Sequence, residues 1–205
     1  SLGGRLQALV MQGMALCVIY IGISGSLKGE NTLVIIISIA LGAVIGELLD
    51  LDAKMHALGD WVQKKTARLV HTDEGSPSVA DGFVTASLLF CVGAMAIVGS
   101  LENGLTGNYD TLKAKAVIDG IAAIVFASSL GIGVLFSAAA IFLYQGTISL
   151  AAGLLAPLLS DSVIAEMTCV GSLLIVALGL NMLVTSKIKI MNLVPAIFLP
   201  ILLCL

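Results

Sequence analysis

The chain has 205 residues, of which 59% are hydrophobic and only 11% charged, and its net charge is −3. A soluble domain is typically about one quarter charged, so the composition excludes an ordinary soluble protein. Apolar stretches that reach the roughly 17–25 residues needed to cross a bilayer recur along the chain. We therefore predict an all-α integral membrane protein that forms a single transmembrane domain over residues 1–205.

The chain divides into about seven apolar segments, each predicted to be a transmembrane helix. The first two, 6–24 and 32–49, are joined by a short link rich in glycine and serine. The only long polar region, 50–80, comes next. The remaining segments are predicted at 82–99, 114–130, 133–159, a stretch that follows the helix cap Ser160-Asp161-Ser162 and ends at 184, and 188–205.

The polar region 50–80 has apolar residues at positions 55, 58, 62 and 69, a spacing that favours one face of a helix. We therefore predict an amphipathic helix that lies against the membrane surface. With seven crossings, this region shares a side with the N-terminus and the 185–187 turn, and that side holds most of the lysine and arginine. The positive-inside rule therefore predicts that region 50–80 is cytoplasmic, and a reporter fused there should be found inside the cell.

Two apolar segments share a pattern that predicts an internal repeat. FCVGAMAIVGSL (90–101) matches TCVGSLLIVALG (168–179), and a weaker third copy begins at Cys17-Val18. The segments that follow also correspond, VIDGIAAI against IMNLVPAI, which aligns Asp119 with Asn192. The two strong copies are an odd number of crossings apart, so they would run in opposite directions. Inverted repeats of this kind, often with broken helices, are a recurrent construction of secondary transporters.

Two places in the second half of the chain favour broken helices. A helix from 114 to 127 covers only about 21 Å of a hydrocarbon core of about 30 Å, so the stretch 128–133 would begin at membrane depth. The next apolar run is interrupted in the same way at 145–147. The alternatives are an ordinary turn at 128–133 and a small-residue packing face through Gly146 and Gly153.

Polar side chains inside these apolar segments form the predicted substrate-binding site. Asp119 or Glu166 could hold a proton or a cation, and helix starts near Gly133 would offer backbone N–H groups to an anion. Each residue also has a simpler explanation: Asp119 could pair with an upstream lysine, and the amides could bond between helices. The complete set is Asp119, Ser128, Ser129, Tyr144, Gln145, Glu166, Asn181 and Asn192.

Enzyme, cofactor and nucleic-acid functions have no support in the sequence. The chain shows no nucleophile triad, no metal-ligand spacing and no phosphate-binding loop, so we expect a protein that is not an enzyme and needs no cofactor or metal. The four cysteines lie far apart inside apolar runs and are interpreted as small buried residues. No basic run is interleaved with aromatic residues, which argues against nucleic acid as a partner. The expected partners are the lipid bilayer and a small solute or ion.

Several blocks of the sequence resemble a known family. LCVIYIGISGSLKG, FCVGAMAIVGSLENGLTG, VIDGIAAIVFASSLGIGVLFSA, LYQG, LSDSVIAE, GLNML and NLVPAIFLP are similar to the bacterial YdfK/YqgA-like multi-pass membrane proteins, a domain of unknown function. The resemblance covers nearly the whole chain. It implies a small helical protein of the bacterial inner membrane, transporter-like and without an assigned substrate. It also implies one more apolar span ahead of Ser1, which would make eight.

Three functions follow from these observations. The leading hypothesis is a transporter or facilitator of a small polar or charged solute, with its site near the membrane midplane. The first alternative is a channel formed by a homo-oligomer, in which the polar residues would surround an axis between subunits. The second is a membrane sensor or scaffold that does not transport and that acts through the amphipathic region 50–80.

Overall fold

The computed structural model describes residues 2–57, 79–92, 94–183 and 188–204, and these ranges contain helices and no strand, which confirms the all-α prediction. Residues 58–78, with most of the predicted amphipathic helix, and the predicted 185–187 turn lie outside the described residues. The helices are α1 (Leu2–Ser26), α2 (Thr32–Leu49), α3 (Val79–Cys91), α4 (Ala94–Thr106), α5 (Asp110–Leu130), α6 (Gly133–Leu150), α7 (Ala152–Leu155), α8 (Asp161–Leu183), a 3-10 helix (Ile190–Phe198) and α9 (Pro200–Leu203).

Three of the described helices, α2, α6 and α8, are long and apolar enough to cross a membrane. The pair α3–α4 makes a fourth candidate if it is one span, bent by 62° at its break. Helix α5 has sufficient length, but Asp110, Lys113, Lys115 and Asp119 all lie in its first half. The described residues therefore give three or four candidate spans, and the number of about seven stays a prediction.

The outer face of α2 suits contact with lipid. Asn31 caps the helix by accepting hydrogen bonds from the backbone N–H groups of Leu33 and Val34, as expected of an asparagine at this position. The helix then buries a stripe of small residues and exposes its large ones. Those exposed are Leu33, Ile36, Ile37, Leu41, Val44, Ile45, Leu48 and Leu49.

Helices α1 and α8 pack closely in opposite directions. Gly22 of α1 lies against Ser172, and Gly179 of α8 lies against Ala15. Residue numbers therefore rise along α1 as they fall along α8. The absence of side chains at these glycines lets the two backbones approach, which is the usual basis of helix association in membranes.

Helix α2 and the 3-10 helix form a second antiparallel pair. Gly42 lies against Ala196 and Gly46 lies against the backbone of Asn192. The G-x-x-x-G spacing of Gly42 and Gly46 is typical of close helix packing, and here the packing partner is the 3-10 helix. Helices α1 and α2 therefore pack onto α8 and the 3-10 helix, respectively, and each of the two contacts is antiparallel.

The bent pair α3–α4 runs parallel to α6 along its whole length. Gly82, near the start of α3, lies against Gly133 at the start of α6. Asn103, near the end of α4, accepts a hydrogen bond of 2.7 Å from Ser149 near the end of α6. Because the 18 residues of α6 extend over about 27 Å, the two ends of α3–α4 are far apart. This separation fits a broken span and not a re-entrant loop, and the pair stays a candidate crossing.

Of the two alternatives at 128–133, a broken helix is not observed, because α5 begins at Asp110 and not near 114. Its 21 residues extend over about 32 Å before they end at Leu130. Gly131 then adopts φ 72°, a left-handed conformation that glycine tolerates at a helix end. The ordinary turn is thus the correct alternative.

At 145–147, too, the broken-helix alternative is not observed, since α6 continues through these residues to Leu150. The observed break lies in the segment 82–99, which was predicted to be continuous. There α3 ends at Cys91, and Val92 packs onto Gly171 of α8. The missing side chain at Gly171 makes room for the bend.

The two strong copies of the predicted repeat differ in local structure. Residues 168–179 lie within the uninterrupted helix α8, whereas residues 90–101 contain the break between α3 and α4. Residues 117–124 are α-helical, whereas 190–197 belong to the 3-10 helix. The antiparallel partner of α8 is α1, which carries the weaker third copy. The inverted repeat therefore stays a prediction.

Candidate functional site

The eight predicted site residues do not meet in one cavity. Three groups lie beside the break between α3 and α4, at the link between α1 and α2, and at the end of α2, and they differ in their partners and in their burial. The predicted residues outside these groups are Ser128, Ser129, Gln145 and Asn181.

The first group is the ion pair between Lys115 and Asp119, one turn apart on α5. The side chains are only 9% and 21% exposed, respectively, so both charges are largely removed from solvent. Asp119 lies about 14 Å along α5 from its first residue and about 17 Å from its last, near the middle of the helix. The pairing with an upstream lysine, one of the two explanations for Asp119, is observed.

The Lys115–Asp119 pair lies beside the break between α3 and α4. Both charges act electrostatically on the thiol of Cys91, the last residue of α3. Phe90 packs edge-on against Phe126 of α5, with ring centroids 6.2 Å apart, and holds the end of α3 against this helix. The break between α3 and α4 and the buried ion pair therefore form one local arrangement.

A cavity of about 240 Å³ lies on another side of the break. Residues of helices α3, α4, α6 and α8, of the 3-10 helix, and Met55 line it, and Cys91 forms part of its wall. Its lining is mainly apolar, including Phe83, Met167 and Met191, with a few polar groups. One of these is the hydroxyl of Ser87, which is buried and has no hydrogen-bond partner among the described residues.

A neighbouring cavity of about 500 Å³ shares Tyr144, Met167 and Phe198 with the first. Tyr144 is the predicted site residue that lines both cavities. Ala140 lies one turn before Tyr144 and also lines both. The two spaces are thus adjoining, with the middle of α6 as their common wall.

Three other predicted residues on α5 and α6 do not line these cavities. Ser128 is exposed and donates a hydrogen bond of 2.7 Å to the carbonyl of Val125. Ser129 is buried near the end of α5. Gln145 has a buried amide nitrogen with no partner among the described residues. The structure thus places Ser128, Ser129 and Gln145 apart from the break.

The second group is built on Glu166 of α8, which is 1% exposed. Ser160, whose hydroxyl accepts a hydrogen bond from the N–H of Val163, caps this helix as predicted. Glu166 Oε1 accepts hydrogen bonds of 2.7 Å from the backbone N–H groups of Glu30 and Asn31. The carboxylate thereby attaches the start of α2 to α8.

The third group lies at the other end of α2. Asn192 of the 3-10 helix is 3% exposed, and its Oδ1 accepts a hydrogen bond of 2.7 Å from the N–H of Asp52. Its Nδ2 donates a hydrogen bond of 2.6 Å to Glu47, which also accepts one of 2.9 Å from Lys189. Glu47 is exposed. The amide therefore holds the 3-10 helix on α2.

Asn181 has a local structural role. Its side-chain amide donates to the carbonyl of Ile188 and accepts from the N–H of the same residue, both at 2.8 Å. These two hydrogen bonds hold the end of α8 to the start of the following segment. The contact with Ile188 explains why an amide side chain lies at this position, and no bound solute is needed to explain it.

Replacing Asn192 with Asp should make stability depend on pH. The new carboxylate would face Glu47 Oε2, where the amide now donates a hydrogen bond. Two carboxylates at this distance repel when both are ionised and can share a proton when one is neutral. We expect Asn192→Asp to lower the melting temperature at neutral pH and to recover part of the loss as pH falls. Adding Glu47→Gln should remove the pH dependence; if it persists, the contact is not its cause.

Several residues at the site were not predicted. Lys115 was predicted only as an upstream lysine that could pair with Asp119 and not as a site residue, although its spacing of four residues from Asp119 indicated the pair. Ser87 and the methionines of the cavity wall carry no sequence signal that separates them from ordinary core residues. The contact of Glu47 with Asn192 joins residues that are remote in sequence and depends on the fold.

The described residues contain no group of three or more histidine, cysteine, aspartate or glutamate side chains that could hold a metal ion. Cys91 and Cys204 are half-buried, and Cys169 is buried and bonds to the carbonyl of Ser26. Cys17 is exposed on α1, which corrects the expectation that all four cysteines are buried.

Comparison with known proteins identifies the family. Residues 1–205 match the family described as Protein of unknown function (DUF554). The chain belongs to this family. It is 31% identical over 198 residues to Uncharacterized membrane protein YdfK of Bacillus subtilis, which covers 95% of this chain and 81% of that protein. It is 30% identical over 213 residues to Uncharacterized protein YqgA of Escherichia coli, covering 97% of this chain and 89% of that protein.

No solved structure matches the DUF554 chain. The resemblance found in the sequence is confirmed by the family match over the whole chain and by both relatives. Family membership, the name of the Bacillus relative and the apolar helices agree on a helical membrane protein in contact with lipid. Transport, a homo-oligomer, the inner membrane and the cytoplasmic side of residues 50–80 stay predictions.

Proposed function

We propose that this DUF554 protein is a transporter, a carrier or facilitator without enzymatic activity that moves a small organic solute across the bacterial inner membrane. The observation that supports the proposal most is the position of Cys91. It ends α3 at the break, it forms part of the cavity wall, and it lies within the electrostatic influence of Lys115 and Asp119. The break, the cavity and the buried charges are therefore adjacent.

A broken crossing supports transport on physical grounds. The end of α3 and the start of α4 leave backbone carbonyl and N–H groups without helical partners. Irregular backbone at membrane depth is tolerated where it is buried in protein or lines water. In many transporters, discontinuous helices of this kind offer their ends to the solute near the midplane. The α3–α4 break lies beside a cavity and is thus suited to this role.

The cavity lining favours a solute with both apolar and polar parts. Ligand sites are commonly apolar, with a few polar groups that fix orientation. Here the apolar part would contact Phe83 and the methionines, and Ser87 and Tyr144 would supply hydrogen bonds. The polar part would face the break at Cys91. This narrows the earlier hypothesis of a small polar or charged solute.

The 3-10 helix is our candidate for the moving element. It is nine residues long and contains Pro195, whereas 3-10 runs longer than three or four residues are uncommon and often mark hinges. Met191, Val194, Ile197 and Phe198 of this helix line the cavity. A shift of the 3-10 helix relative to α8, which forms another wall of the cavity, would therefore change access to the cavity. We place this end of the cavity, with Met55, on the cytoplasmic side.

Filling the cavity should abolish uptake. Ala140 lines both cavities, whereas its neighbour Ala139 is exposed on α6. Membrane vesicles containing wild type, Ala140→Trp or Ala139→Trp would be incubated with a defined mixture of labelled amino acids, carboxylates and nucleosides. We expect one solute class to accumulate with wild type and Ala139→Trp but not with Ala140→Trp. Equal uptake in all three, or uptake in none, would contradict the proposal, and the latter would favour a sensor or scaffold.

A further inference from the structure

Glu166 is a fully buried carboxyl group with one satisfied oxygen and one unsatisfied oxygen. Oε1 accepts two backbone hydrogen bonds from the link between α1 and α2. Oε2 is buried and has no hydrogen-bond partner among the described residues. A structural anchor for the link needs only Oε1, so the carboxyl group has a second oxygen that its anchoring role does not use.

An ionised carboxylate at this place is incompletely compensated. Both of its oxygens accept hydrogen bonds when charged, about four in total, and only two are supplied. The N–H groups of Glu30 and Asn31 and the positive end of the α2 dipole provide partial compensation. Within the described ranges, no lysine, arginine or histidine forms an ion pair with Glu166. A buried charge without a full set of partners is costly, and neutralisation relieves that cost.

The titratable groups around Glu166 are thiols and exposed loop residues. Cys169 lies one turn along α8, and Cys204 follows α9; both thiols interact electrostatically with Glu166. The α1–α2 link adds Lys28 and Glu30, whose side chains are exposed. A metal cation prefers several oxygen ligands, whereas the unsatisfied group here is a single oxygen. The surroundings therefore suit a proton better than a metal ion.

We propose that Glu166 Oε2 is a proton-binding site, which takes up a proton from water and returns it when the surroundings of α8 change. In the ionised form, Oε1 holds the two N–H groups through charge-assisted bonds, which are roughly twice as strong as neutral ones. Protonation at Oε2 removes that charge and weakens the attachment of α2 to α8. The inference rests on the proposed transport function, for which this proton would be the coupling ion.

The site can act on the cavity through α2. One end of this helix is attached to Glu166, and the other end holds the 3-10 helix through Gly46 and Asn192. The 3-10 helix lines the cavity. A weaker attachment at the first end would allow α2 and the 3-10 helix to shift together, which links proton occupancy to cavity access.

Infrared difference spectroscopy on the purified full chain in lipid nanodiscs tests the proton site without a solute. We expect wild type to gain the carbonyl band of a protonated, buried carboxyl group as pH is lowered reversibly, and Glu166→Gln to lose that band. The glutamine keeps an oxygen that can accept both N–H bonds, so the fold should persist. The control Glu47→Gln removes an exposed carboxylate at the far end of α2 and should leave the band unchanged.

Glu166→Asp keeps a carboxyl group and should shift the frequency of the carbonyl band. If Glu166→Gln does not fold, this shift replaces the loss of the band as the test that the band belongs to residue 166. A wild-type spectrum without a buried carboxyl band over the range in which the protein is folded would overturn the proposal and leave Glu166 as a permanently ionised anchor. The same holds if the band survives in Glu166→Gln. Because the measurement uses no solute, its failure is distinguishable from failure of the uptake experiment.

Discussion

Substitution of Gly46 by alanine should destabilise the protein more than any other glycine-to-alanine change on α2. A Cβ atom at this position would overlap the backbone carbonyl of Asn192. Backbone cannot rotate away as a side chain can, so α2 and the 3-10 helix would have to separate. Overpacking typically costs about 1–3 kcal/mol, and here the shift would also strain the hydrogen bonds of Asn192 to Asp52 and Glu47.

Gly120 on α5 provides a matched control, because a Cβ atom there would meet no atom within 4 Å. Alanine is a better helix former than glycine by about 1 kcal/mol, so Gly120→Ala should leave stability equal or slightly raised. For a chain of this size, 1 kcal/mol corresponds to about 2–4 °C in melting temperature. Thermal unfolding in detergent should therefore separate the variants. Equal melting temperatures for Gly46→Ala and Gly120→Ala would show that the contact of α2 with the 3-10 helix is looser than described.

The elements that local sequence determines were predicted well. Helix α2 has its predicted bounds, Thr32–Leu49, because Asn31 caps one end and the apolar run stops at Asp50. The cap of α8 at Ser160 was predicted for the same reason. In both cases the deciding signals lie within a few residues of the helix end, so they are readable without knowledge of the fold.

The break between α3 and α4 could not be predicted in this way. The sequence around Cys91 is uniformly apolar and contains small residues that a continuous helix tolerates. The bend depends on Val92 packing against Gly171, a residue of α8 that is remote in sequence. Conversely, the expected break at 128–133 rested on a late start of α5. The link residues Gly107, with φ 74°, and Asn108, which accepts from the N–H of Asp110, place that start earlier.

The candidate site shows the same division between local and tertiary information. Hydropathy was sufficient to find Asp119, Glu166 and Asn192 as polar residues in apolar surroundings. It could not show that they lie in separate groups, since each takes partners from a different part of the chain. Glu166 is buried only because the α1–α2 link covers it, and Asn192 meets Glu47 only because α2 and the 3-10 helix are antiparallel.

Removal of one charge of the Lys115–Asp119 pair should lower the stability of the protein strongly, whereas removal of both charges should lower it only weakly. Lys115→Met would leave Asp119 largely buried and unpaired, and Asp119→Asn would do the same to Lys115. Removal of one partner from a buried ion pair commonly costs about 3–5 kcal/mol, whereas replacement of both by apolar residues is often close to neutral. We therefore expect the double variant Lys115→Met/Asp119→Leu to be more stable than either single variant, as measured by thermal unfolding.

The same helix offers an exposed pair as a control. Lys113 and Asp110 are 3.7 Å apart with side chains 62% and 80% exposed, and solvent screens such pairs to less than about 1 kcal/mol. Lys113→Met and Asp110→Asn should therefore change the melting temperature little. If loss of one charge lowers the melting temperature equally at Lys115–Asp119 and at Lys113–Asp110, the Lys115–Asp119 pair is not buried. The same conclusion holds if the effects of the two single substitutions at Lys115 and Asp119 simply add in the double variant. The proposed solute path beside Cys91 would then lack its charged groups.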